Sequence, residues 1–553
     1  MNIREKISST IKTALESAVS SGKLQSTDQF PAIVLEVPPK KEFGDFASNV
    51  AMQSAKIFRK SPRNIAEIIR DEIRDSKLID RIEIAGPGFM NFYLAENVIY
   101  DQLSEIFANL DRIGYLAPKN AGKIQFEYVS ANPTGSLHVG HGRGAAVGSA
   151  LVNLFRAAGF DVESEFYIND AGNQMENLAL SVEARYLELL GIAAEFPENG
   201  YHGVDIIETA QKIIDRDGRK YLEMNREDRL KIFQDLAYAE KLDQLKTDLA
   251  DFRVTFDKWF SERTLHPKAV NDAIEILKSN GSIYEKDGAL WLKSTDYGDD
   301  QDRVVIRDNG VPTYLAADIA YHKNKFERGF AKMINLWGAD HHGYIARVKA
   351  AMSALGFDSE KLQIILLQMV ALYRSGELVK MSKRTGQSIT LRELMEEIGI
   401  DAARYFFLMR SADAQLDFDL DLAKKQSNEN PVFYVQYAHA RICSLIRQAA
   451  ESNLKIDGEI KFNLLKDETE IDLIHKIESF DEEIDRAAED FAPQRISKYV
   501  YDLASNFHSF YNKCRVIGVD EDLAKSRLAL AKITQAAIKR GLEIIGVSAP
   551  ESM

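Results

Sequence analysis

The chain has 553 residues, enough for several domains, and 45% of them are hydrophobic while 28% are charged. Its two cysteines exclude a disulfide framework and a zinc ribbon. The sequence contains no apolar run of about eighteen residues and its first residues lack the apolar segment of a signal peptide, so we expect a cytoplasmic protein without a membrane partner. The formal net charge of −14 argues against a nucleic-acid binder, although an acidic total can still contain a local basic face.

The N-terminal part of the chain alternates short helices and strands. In chain order these are a helix with Ile3, Ile7, Ile11 and Leu15 on one stripe, a strand at 32–37, helices at 51–58 and 65–73, strands at 82–85 and 90–94, and a helix ending near 110. Roughly a hundred residues of this kind make one small α/β domain.

The next segment predicts a strand, a helix and a second strand. Residues 123–129 alternate polar and apolar types with many β-favouring side chains, and residues 161–168 form a second apolar-rich strand. The helix between them begins near Gly140. Such a unit implies parallel strands with a binding crevice at their carboxyl ends. His138 and His141 lie at the mouth of this crevice, where the helix begins.

The residues at the start of this helix favour the binding of a phosphate group. A helix N-terminus offers unpaired backbone N–H groups and a partial positive charge. Gly140, Gly142 and Gly144 allow a nucleotide to approach the backbone, and His138 and His141 can donate hydrogen bonds to phosphate oxygens as charge develops. The alternatives are a glycine-rich turn with two capping histidines, or a pair of metal ligands. A metal needs further ligands, and no Cys or carboxylate cluster lies nearby in the sequence.

A second motif, VKMSKRTG at 379–386, combines Lys380 and Lys383 with a serine between two regular segments. Upstream, residues 364–373 predict a buried strand or a short helix, and downstream, residues 390–393 fit a helix capping box. A cationic loop can close over a triphosphate and neutralise the departing pyrophosphate. The alternative is a solvated basic loop.

These motifs resemble those of class I aminoacyl-tRNA synthetases. HVGH at 138–141 resembles the HIGH signature, 379–386 resembles the KMSKS loop, and the longer SANPTGSLHVGHGRG at 130–144 is similar to the phrase of bacterial arginyl-tRNA synthetases. The resemblance implies an α/β multidomain fold with a doubly wound parallel sheet of Rossmann type, a small N-terminal α/β domain and a C-terminal α-helical bundle. It also implies an arginine–tRNA ligase, which activates L-arginine with ATP to arginyl-adenylate and transfers it to the 3′ end of tRNA(Arg).

On this resemblance we divide the chain into four regions. They are an N-terminal additional domain at 1–112 that contacts the outer corner of tRNA, a catalytic domain at 113–390 with a helical insertion at about 175–300, a linker at 391–427 that contacts the tRNA stem, and a helical anticodon-binding domain at 428–553. Aromatic side chains on the last helices either stack on unpaired bases or form the core of the bundle.

Two phrases after the central unit belong to the expected catalytic domain. YINDAGNQ at 167–174 puts Asn169, Asp170 and Asn173 at the carboxyl end of a strand, where substrates bind in such sheets, although all three are also ordinary turn formers. A strand at 303–306 is expected to return the chain to the parallel sheet.

Tyr314 and Asp318 are four residues apart, so they share a face if this segment is a helix. A site for arginine must hold a guanidinium, whose planar fork is matched by a fixed carboxylate. Asp318 is our candidate, with Tyr314 packing beside it, and the resembled family uses this pair for its amino acid. The alternative is a helix with one solvated aspartate.

The resemblance assigns the remaining site residues. The catalytic residues are His138, His141, Lys380 and Lys383; Gly140, Gly142, Met381, Ser382 and His342 contact the nucleotide; Ser130, Asn132, Tyr314 and Asp318 contact arginine. ATP is expected to bring Mg²⁺, with no protein-bound structural metal, and the protein is expected to be a monomer.

Two other functions fit parts of the sequence. One is a synthetase for another amino acid such as cysteine, against which the lack of zinc-ligand cysteines argues. The other is a relative that binds tRNA or a partner without catalysis, against which the intact HVGH and KMSKR motifs argue.

Overall fold

The computed structural model describes residues 3–27, 29–36, 38, 40–73, 77–379 and 389–553. The chain divides into two compact units. The first comprises Met1–Ile113, Ile446–Asp481 and Asn506–Thr534, and the second comprises Gly114–Leu445, Glu482–Ser505 and Gln535–Met553.

The N-terminal part of the first unit packs helices against a three-stranded antiparallel sheet. Its elements are α1 (Ile3–Ser20), β1 (Phe46–Ser48), α2 (Val50–Phe58), α3 (Pro62–Glu72), β2 (Ile79–Ala85), β3 (Phe89–Leu94) and α4 (Glu96–Ala108). Strand β3 lies between β1 and β2. The stripe predicted on α1 is confirmed, because all four of its side chains are buried in the core of this unit.

The strand predicted at 32–37 is wrong for the residues described there. They contribute a single bridge, between Glu36 and Ala47, instead of a ladder. The hydroxyl of Ser48 donates to the carbonyl of Val34 at 2.7 Å, so a side chain satisfies an acceptor that a paired strand would have satisfied.

The second unit begins with alternating strands and helices. Its elements up to the edge of the main sheet are β4 (Ile124–Glu127), α5 (Val139–Ala157), β5 (Val162–Ile168), α6 (Asn173–Leu189), α7 (Val204–Asp217), α8 (Arg226–Asp251), β6 (Lys258–Ser261), α9 (Lys268–Ser279), β7 (Ile283–Lys286), β8 (Ala289–Leu292), β9 (Arg303–Ile306), α10 (Tyr314–Glu327), β10 (Lys332–Gly338), α11 (Ile345–Ala354) and β11 (Leu362–Leu367).

The main sheet has five parallel strands in the order β11-β10-β4-β5-β6. The chain therefore starts in the middle at β4, winds outward through β5 and β6, and then returns to the other side of β4 through β10 and β11. This confirms the doubly wound parallel sheet. In such sheets the crevice for ligands opens at the carboxyl ends of the two strands where the winding reverses, which here are β4 and β10.

The prediction of one helical insertion at about 175–300 is wrong in its second half. Helices α6, α7 and α8 follow β5, but β6 then joins the main sheet and β7 and β8 form a hairpin. Strand β6 has only four residues, too few for its alternation to stand out between two helices.

The strand at 303–306 exists as β9, but the expectation that it joins the main sheet is wrong. It pairs with β8 in a separate antiparallel sheet of β7, β8 and β9. Antiparallel pairing with the preceding strand needs only a short connection, whereas a parallel partner needs a long crossover.

The rest of the chain adds a small sheet and a helical C-terminal domain. Its elements are β12 (Val370–Arg374), β13 (Glu377–Leu378), α12 (Leu391–Ile398), α13 (Ile400–Phe407), β14 (Leu416–Asp419), α14 (Leu420–Lys424), α15 (Pro431–Glu451), α16 (Glu468–Glu478), α17 (Phe480–Glu489), α18 (Gln494–Lys513) and α19 (Glu521–Ile544). The segment 364–373 is thus parts of two strands, β11 and β12. Within the part of the chain that the structure covers, no helix is both long and apolar enough to cross a membrane.

Helix α5 packs on several sides at once, which explains its glycines. A Cβ added to Gly148 would lie 2.3 Å from ring atoms of Tyr128, itself buried at the end of β4. A Cβ added to Gly144, about one turn earlier, would lie 3.4 Å from the nearest atom, a methyl of Leu367. Of these two glycines, Gly148 is required by a close approach and Gly144 is not.

We predict that Gly148→Ala lowers the free energy of unfolding by about 1–3 kcal/mol, because the tyrosine ring must move out of a packed core. Gly144→Ala is the matched control on the same helix. It should be neutral or stabilising, because alanine favours a helix over glycine by about 1 kcal/mol. Urea unfolding of both variants measures the difference, and equal midpoints would contradict the packing argument.

Candidate active site

Two imidazole rings stack at the N-terminus of α5. The rings of His138 and His141 have centroids 3.7 Å apart and planes 22° apart. Nδ1 of His138 accepts hydrogen bonds from the backbone N–H groups of Gly140 at 3.1 Å and His141 at 3.4 Å. Nδ1 of His141 accepts one from the backbone N–H of His138 at 3.2 Å. Because both Nδ1 atoms are acceptors, the proton of each neutral ring is on Nε2.

The glycines beside the histidines have different tasks. A Cβ on Gly140 would lie 3.0 Å from Cε1 of His138, so glycine lets this ring lie over the start of the helix. Gly142 is buried, its N–H donates to the carbonyl of His138, and a Cβ there would meet Leu391 at 2.9 Å. The structure thus gives Gly142 a packing task, and its N–H is used within the helix.

The described segment downstream of the second motif is hydrogen-bonded to the first motif. Thr390 forms a bridge with His138, and the backbone N–H of Leu391 donates to the carbonyl of Leu137 at 2.7 Å. The predicted capping box is confirmed, with reciprocal bonds between Thr390 and Glu393 that begin α12. Lys380, Met381, Ser382 and Lys383 lie outside the described residues. Thr390, in the described stretch that follows them, therefore lies next to the stacked histidines.

The turn after β4 carries two residues in a left-handed backbone conformation. Val129 has φ of 69° and Ser130 has φ of 41°, which costs a non-glycine residue about 1–3 kcal/mol and is most unfavourable for a β-branched one. The Ser130 hydroxyl donates to Glu127 at 2.9 Å and accepts from the backbone N–H of Tyr167 at 3.2 Å. Asn132, two residues later, is exposed. Strain of this kind persists where the surrounding structure holds a side chain in place, and here that side chain is Ser130.

Asp318 lies half-buried on α10. The hydroxyl of Tyr344 donates to its carboxylate at 2.5 Å. Burial raises the pKa of Asp318 to about 7, and the nearby charges of Glu262 and Glu127 act in the same direction. Tyr314, in the first turn of the same helix, is 61% exposed. The aromatic residue that hydrogen-bonds the carboxylate is Tyr344, which the sequence did not single out.

Two further carboxylates belong to this group and were missed. Glu127 ends β4 and Glu262 directly follows β6, and both are buried. Burial raises the pKa of Glu262. Hydrogen bonds with Tyr167 and with His266, whose Nε2 is 3.3 Å from the carboxylate, lower this pKa and oppose the shift. Their position at the carboxyl ends of parallel strands is the signal that would have found them, once the strands were placed correctly.

Buried cations already match some of this negative charge. Lys325 is wholly buried, and its ammonium lies 2.5 Å from Glu127 and 2.8 Å from the amide oxygen of Asn335. Arg328 pairs with Glu165 through two hydrogen bonds. By contrast, among the residues that the structure describes, no Lys or Arg lies within ion-pair distance of Asp318 or Glu262. Asp318 is thus hydrogen-bonded by Tyr344 and Glu262 by His266, and neither carboxylate has an ammonium or guanidinium partner among the described residues.

Of the other polar residues near the crevice, His342 is exposed and Asp170 is buried. His342 is exposed in the turn after β10, at the same edge of the sheet as the histidines of α5. Asp170 is buried and accepts hydrogen bonds from the hydroxyls of Ser261 at 2.7 Å and Tyr238 at 2.9 Å. Asp170 thus ties the ends of β5 and β6 to α8. Among described residues no group of three or more His, Cys, Asp or Glu could hold a metal ion.

A sheet that reverses its winding beside β4, with HVGH opening the helix after that strand, is the arrangement of a class I aminoacyl-tRNA synthetase. Three family models match the chain. They are the arginyl tRNA synthetase N-terminal domain at residues 2–94, the class I (R) tRNA synthetase catalytic domain at 102–421, and the DALR anticodon binding domain at 435–553.

Relatives that align with nearly the whole chain belong to the same family as these models. The arginine–tRNA ligase of Carboxydothermus hydrogenoformans is 51% identical over 97% of both chains, and that of Anoxybacillus flavithermus is 49% identical over the whole of both. The arginyl-tRNA synthetase structure from Thermus thermophilus has the same fold, with a TM-score of 0.76 at 22% identity over the whole of both chains. The chain belongs to the arginyl-tRNA synthetase family. It is an arginine–tRNA ligase that charges tRNA(Arg) at the cost of ATP.

The raised pKa of Asp318 predicts that arginine binding depends on pH. Below pH 7 the free carboxyl group is mostly protonated, and if this carboxyl group is the one that binds the guanidinium of arginine, binding requires loss of that proton. The KM for arginine should therefore rise about tenfold for each pH unit below 7 and level off above it. Initial rates of aminoacylation at saturating ATP and tRNA measure this. An arginine KM that stays constant between pH 5.5 and 7 would contradict it.

Proposed function

We propose that this chain forms arginyl-adenylate in the crevice at the carboxyl ends of β4 and β10. The arginine carboxylate attacks the α-phosphorus of ATP, the bond to the β-phosphate oxygen breaks, and pyrophosphate leaves. The terminal adenosine of tRNA(Arg) then attacks the arginyl carbonyl through a ribose hydroxyl, and AMP leaves. No side chain forms a covalent bond in this scheme, so the protein acts by positioning and by charge stabilisation.

The guanidinium of arginine binds to Asp318 in this proposal. The observation that supports it is the pair of carboxylates, half-buried Asp318 and buried Glu262, that have no Lys or Arg partner among the described residues. A guanidinium is always charged and presents a planar fork of donors, so it supplies the missing charge and hydrogen bonds at once. Tyr314 covers the site from the surface, and Ser130 and Asn132 hold the α-amino end of the substrate.

The triphosphate of ATP binds at the start of α5. His138 and His141 each donate from Nε2 to phosphate oxygens, because their Nδ1 atoms already accept backbone hydrogen bonds. Gly140 leaves room for the phosphates, and His342 reaches the nucleotide from the turn after β10. Of the two nucleotide-binding glycines that we expected, only Gly140 keeps this role, because Gly142 is packed inside.

The second motif acts on the leaving group. Lys380 and Lys383 neutralise pyrophosphate as it departs, and Met381 and Ser382 contact the nucleotide. Support comes from the bridge between Thr390 and His138. This bridge places Thr390, which follows the motif in the chain, beside the proposed phosphate site. Mg²⁺ accompanies ATP and is held through the phosphates, because it keeps most of its water and binds few protein ligands.

The tRNA lies along both ends of the chain in this proposal. The N-terminal domain, residues 1–112, contacts the outer corner, and a cavity of about 340 Å³ beside the exposed rings of Phe43 and Phe89 is suited to a splayed base. Residues 391–427 contact the stem, and residues 428–553 read the anticodon. We further propose a monomer that works in the cytoplasm, where translation uses its product.

We predict that Asp318→Asn raises the KM for arginine at least about a hundredfold, because a buried guanidinium loses its charged partner. The KM for ATP and the affinity for tRNA should stay close to parental. Citrulline, which replaces the guanidinium by a neutral group of similar shape, sharpens the test. The ratio of kcat/KM for arginine over citrulline should fall in the variant.

Asp308→Asn is the control for this experiment, since Asp308 is an exposed carboxylate just before α10. It should leave all constants unchanged. A shift of only a fewfold in Asp318→Asn, or an unchanged preference over citrulline, would mean that Asp318 does not bind the guanidinium.

We predict that Lys380→Ala and Lys383→Ala slow adenylate formation strongly but leave the KM for arginine nearly unchanged. Their charge is needed mainly as pyrophosphate leaves, so it stabilises the transition state more than the bound substrate. Arginine-dependent exchange of ATP and pyrophosphate, with tRNA present, measures this step. Lys361→Ala, an exposed lysine before β11, is the control, and exchange rates equal to parental in both test variants would refute the role.

A further inference from the structure

Arg143, two residues beyond the second histidine of α5, is buried and forms no ion pair with a carboxylate of the described residues. Its side chain is 1% exposed. Nη1 donates to the carbonyls of Gln368 at 2.6 Å and Met369 at 3.5 Å, and Nη2 donates to those of Ser411 and Ala414, both at 2.8 Å. Burial lowers the pKa of this guanidinium. Burying a charge that only neutral acceptors satisfy is costly, so its position needs an explanation.

The four carbonyls belong to two segments that each lead into a strand of the three-stranded sheet. Gln368 and Met369 connect β11, at the edge of the five-stranded sheet, to β12 of the three-stranded sheet. Ser411 and Ala414 lie just before β14, which pairs with β12 in parallel. The segments also bond each other, since the N–H of Gln368 donates to Ala412 at 2.9 Å. The guanidinium therefore sits at the junction of the two sheets.

The three-stranded sheet leads directly to the second motif. Strand β12 turns back as β13, and the next residue, Val379, donates its N–H to the carbonyl of Leu372 at 2.8 Å. Residue 380 follows. Arg143 thus connects the helix that carries His138 and His141 to the sheet from which the lysine-containing stretch begins.

Arginine is the side chain that can make this connection. Its rigid fork reaches two chain segments in different directions, whereas the ammonium of lysine is a single point on a flexible stem. The distance between two motifs that act on one triphosphate matters, because a misplacement of about 1 Å can cost a hundredfold in rate.

We propose that Arg143 is a positioning residue for adenylate formation, which fixes the three-stranded sheet that precedes the second motif relative to the stacked histidines. The proposal rests on the roles given above to His138, His141 and Lys383. Arg143 itself does not touch the substrates. Its effect is on the departure of pyrophosphate, and the arginine pocket around Asp318, which is built from other elements, is independent of it.

The test is Arg143→Lys, assayed by arginine-dependent exchange of ATP and pyrophosphate with tRNA present. We expect the rate at saturation to fall about 10- to 100-fold and the KM for ATP to rise, while the KM for arginine changes less than twofold. The assay is run well below the melting temperature of each variant, so that only folded enzyme is compared.

Arg404→Lys is the matched control. Arg404 is also wholly buried in the second unit, and it donates to the carbonyls of Ile545 at 3.1 Å and Phe252 at 2.9 Å and to the Ser149 hydroxyl at 2.8 Å. Its partners do not lead to the second motif. The control should lose melting temperature to a similar extent but keep its exchange rate within about twofold.

A double variant separates this proposal from the one it rests on. If Arg143 acts through the second motif, Arg143→Lys combined with Lys383→Ala should be little slower than Lys383→Ala alone. Independent, multiplying effects would overturn the positioning role while leaving the role of Lys383 intact. A normal exchange rate in Lys383→Ala alone would instead overturn the proposed function of the motif.

The remaining outcomes also decide the matter. An Arg143→Lys enzyme that is less stable yet exchanges at the parental rate would make Arg143 a stabilising residue only. If Arg143→Lys does not fold, Arg143→Gln, which keeps a planar group with two donors, replaces it with the same expectation. Failure of both to fold, with Arg404→Lys folded, would assign Arg143 to folding alone and overturn the proposal.

Discussion

The proposed arginine site depends on two carboxylates, Asp318 and Glu262, that no Lys or Arg of the described residues pairs with. Asp318 and Glu262 are held in buried surroundings, where each charged form is disfavoured, and the neighbouring Glu127 is matched by Lys325. A pocket of this kind is unfavourable when empty, because desolvation is not repaid by an opposite charge. In the proposed function the guanidinium of arginine supplies the opposite charge. Specificity for arginine over neutral amino acids would then follow from electrostatics, since a neutral side chain brings no positive charge to these carboxylates.

Helix α5 joins the separate parts of the catalytic unit. Its first turn holds the stacked histidines, and its glycines allow close contact with the end of β4. Arg143 reaches from the same helix to the junction of the two sheets. One helix thus sets the positions of the phosphate site, of the strand that leads to Ser130, and of the sheet that precedes the second motif. A ligase that works by positioning needs a common reference of this kind, because its substrates approach from different strands.

The sequence was informative where the signal is local. The strand–helix–strand unit, the capping box at Thr390 and the stripe of α1 depend on residues within a few turns, and all were predicted correctly. Glu262 and Tyr344 were missed because each lies on a different element from Asp318, and only the tertiary fold brings them together. The same holds for Gly142, whose glycine motif suggested a nucleotide contact although its neighbours across the fold are Leu391 and Phe407. Strand β9 was assigned to the wrong sheet because strand propensity does not specify a partner.

The unpaired carboxylates have a consequence for how this protein responds to a common denaturant. Guanidinium ion is the head group of the substrate, detached from the rest of arginine. If Asp318 binds the guanidinium of arginine as proposed, guanidinium ion at low concentration is a ligand of the same carboxylate and stabilises the native state by mass action. Only at higher concentration does its general affinity for exposed surface unfold the chain. Urea is uncharged, so it unfolds the chain without first binding at Asp318. Unfolding by guanidinium would therefore start from a ligand-bound native state and unfolding by urea from a ligand-free one.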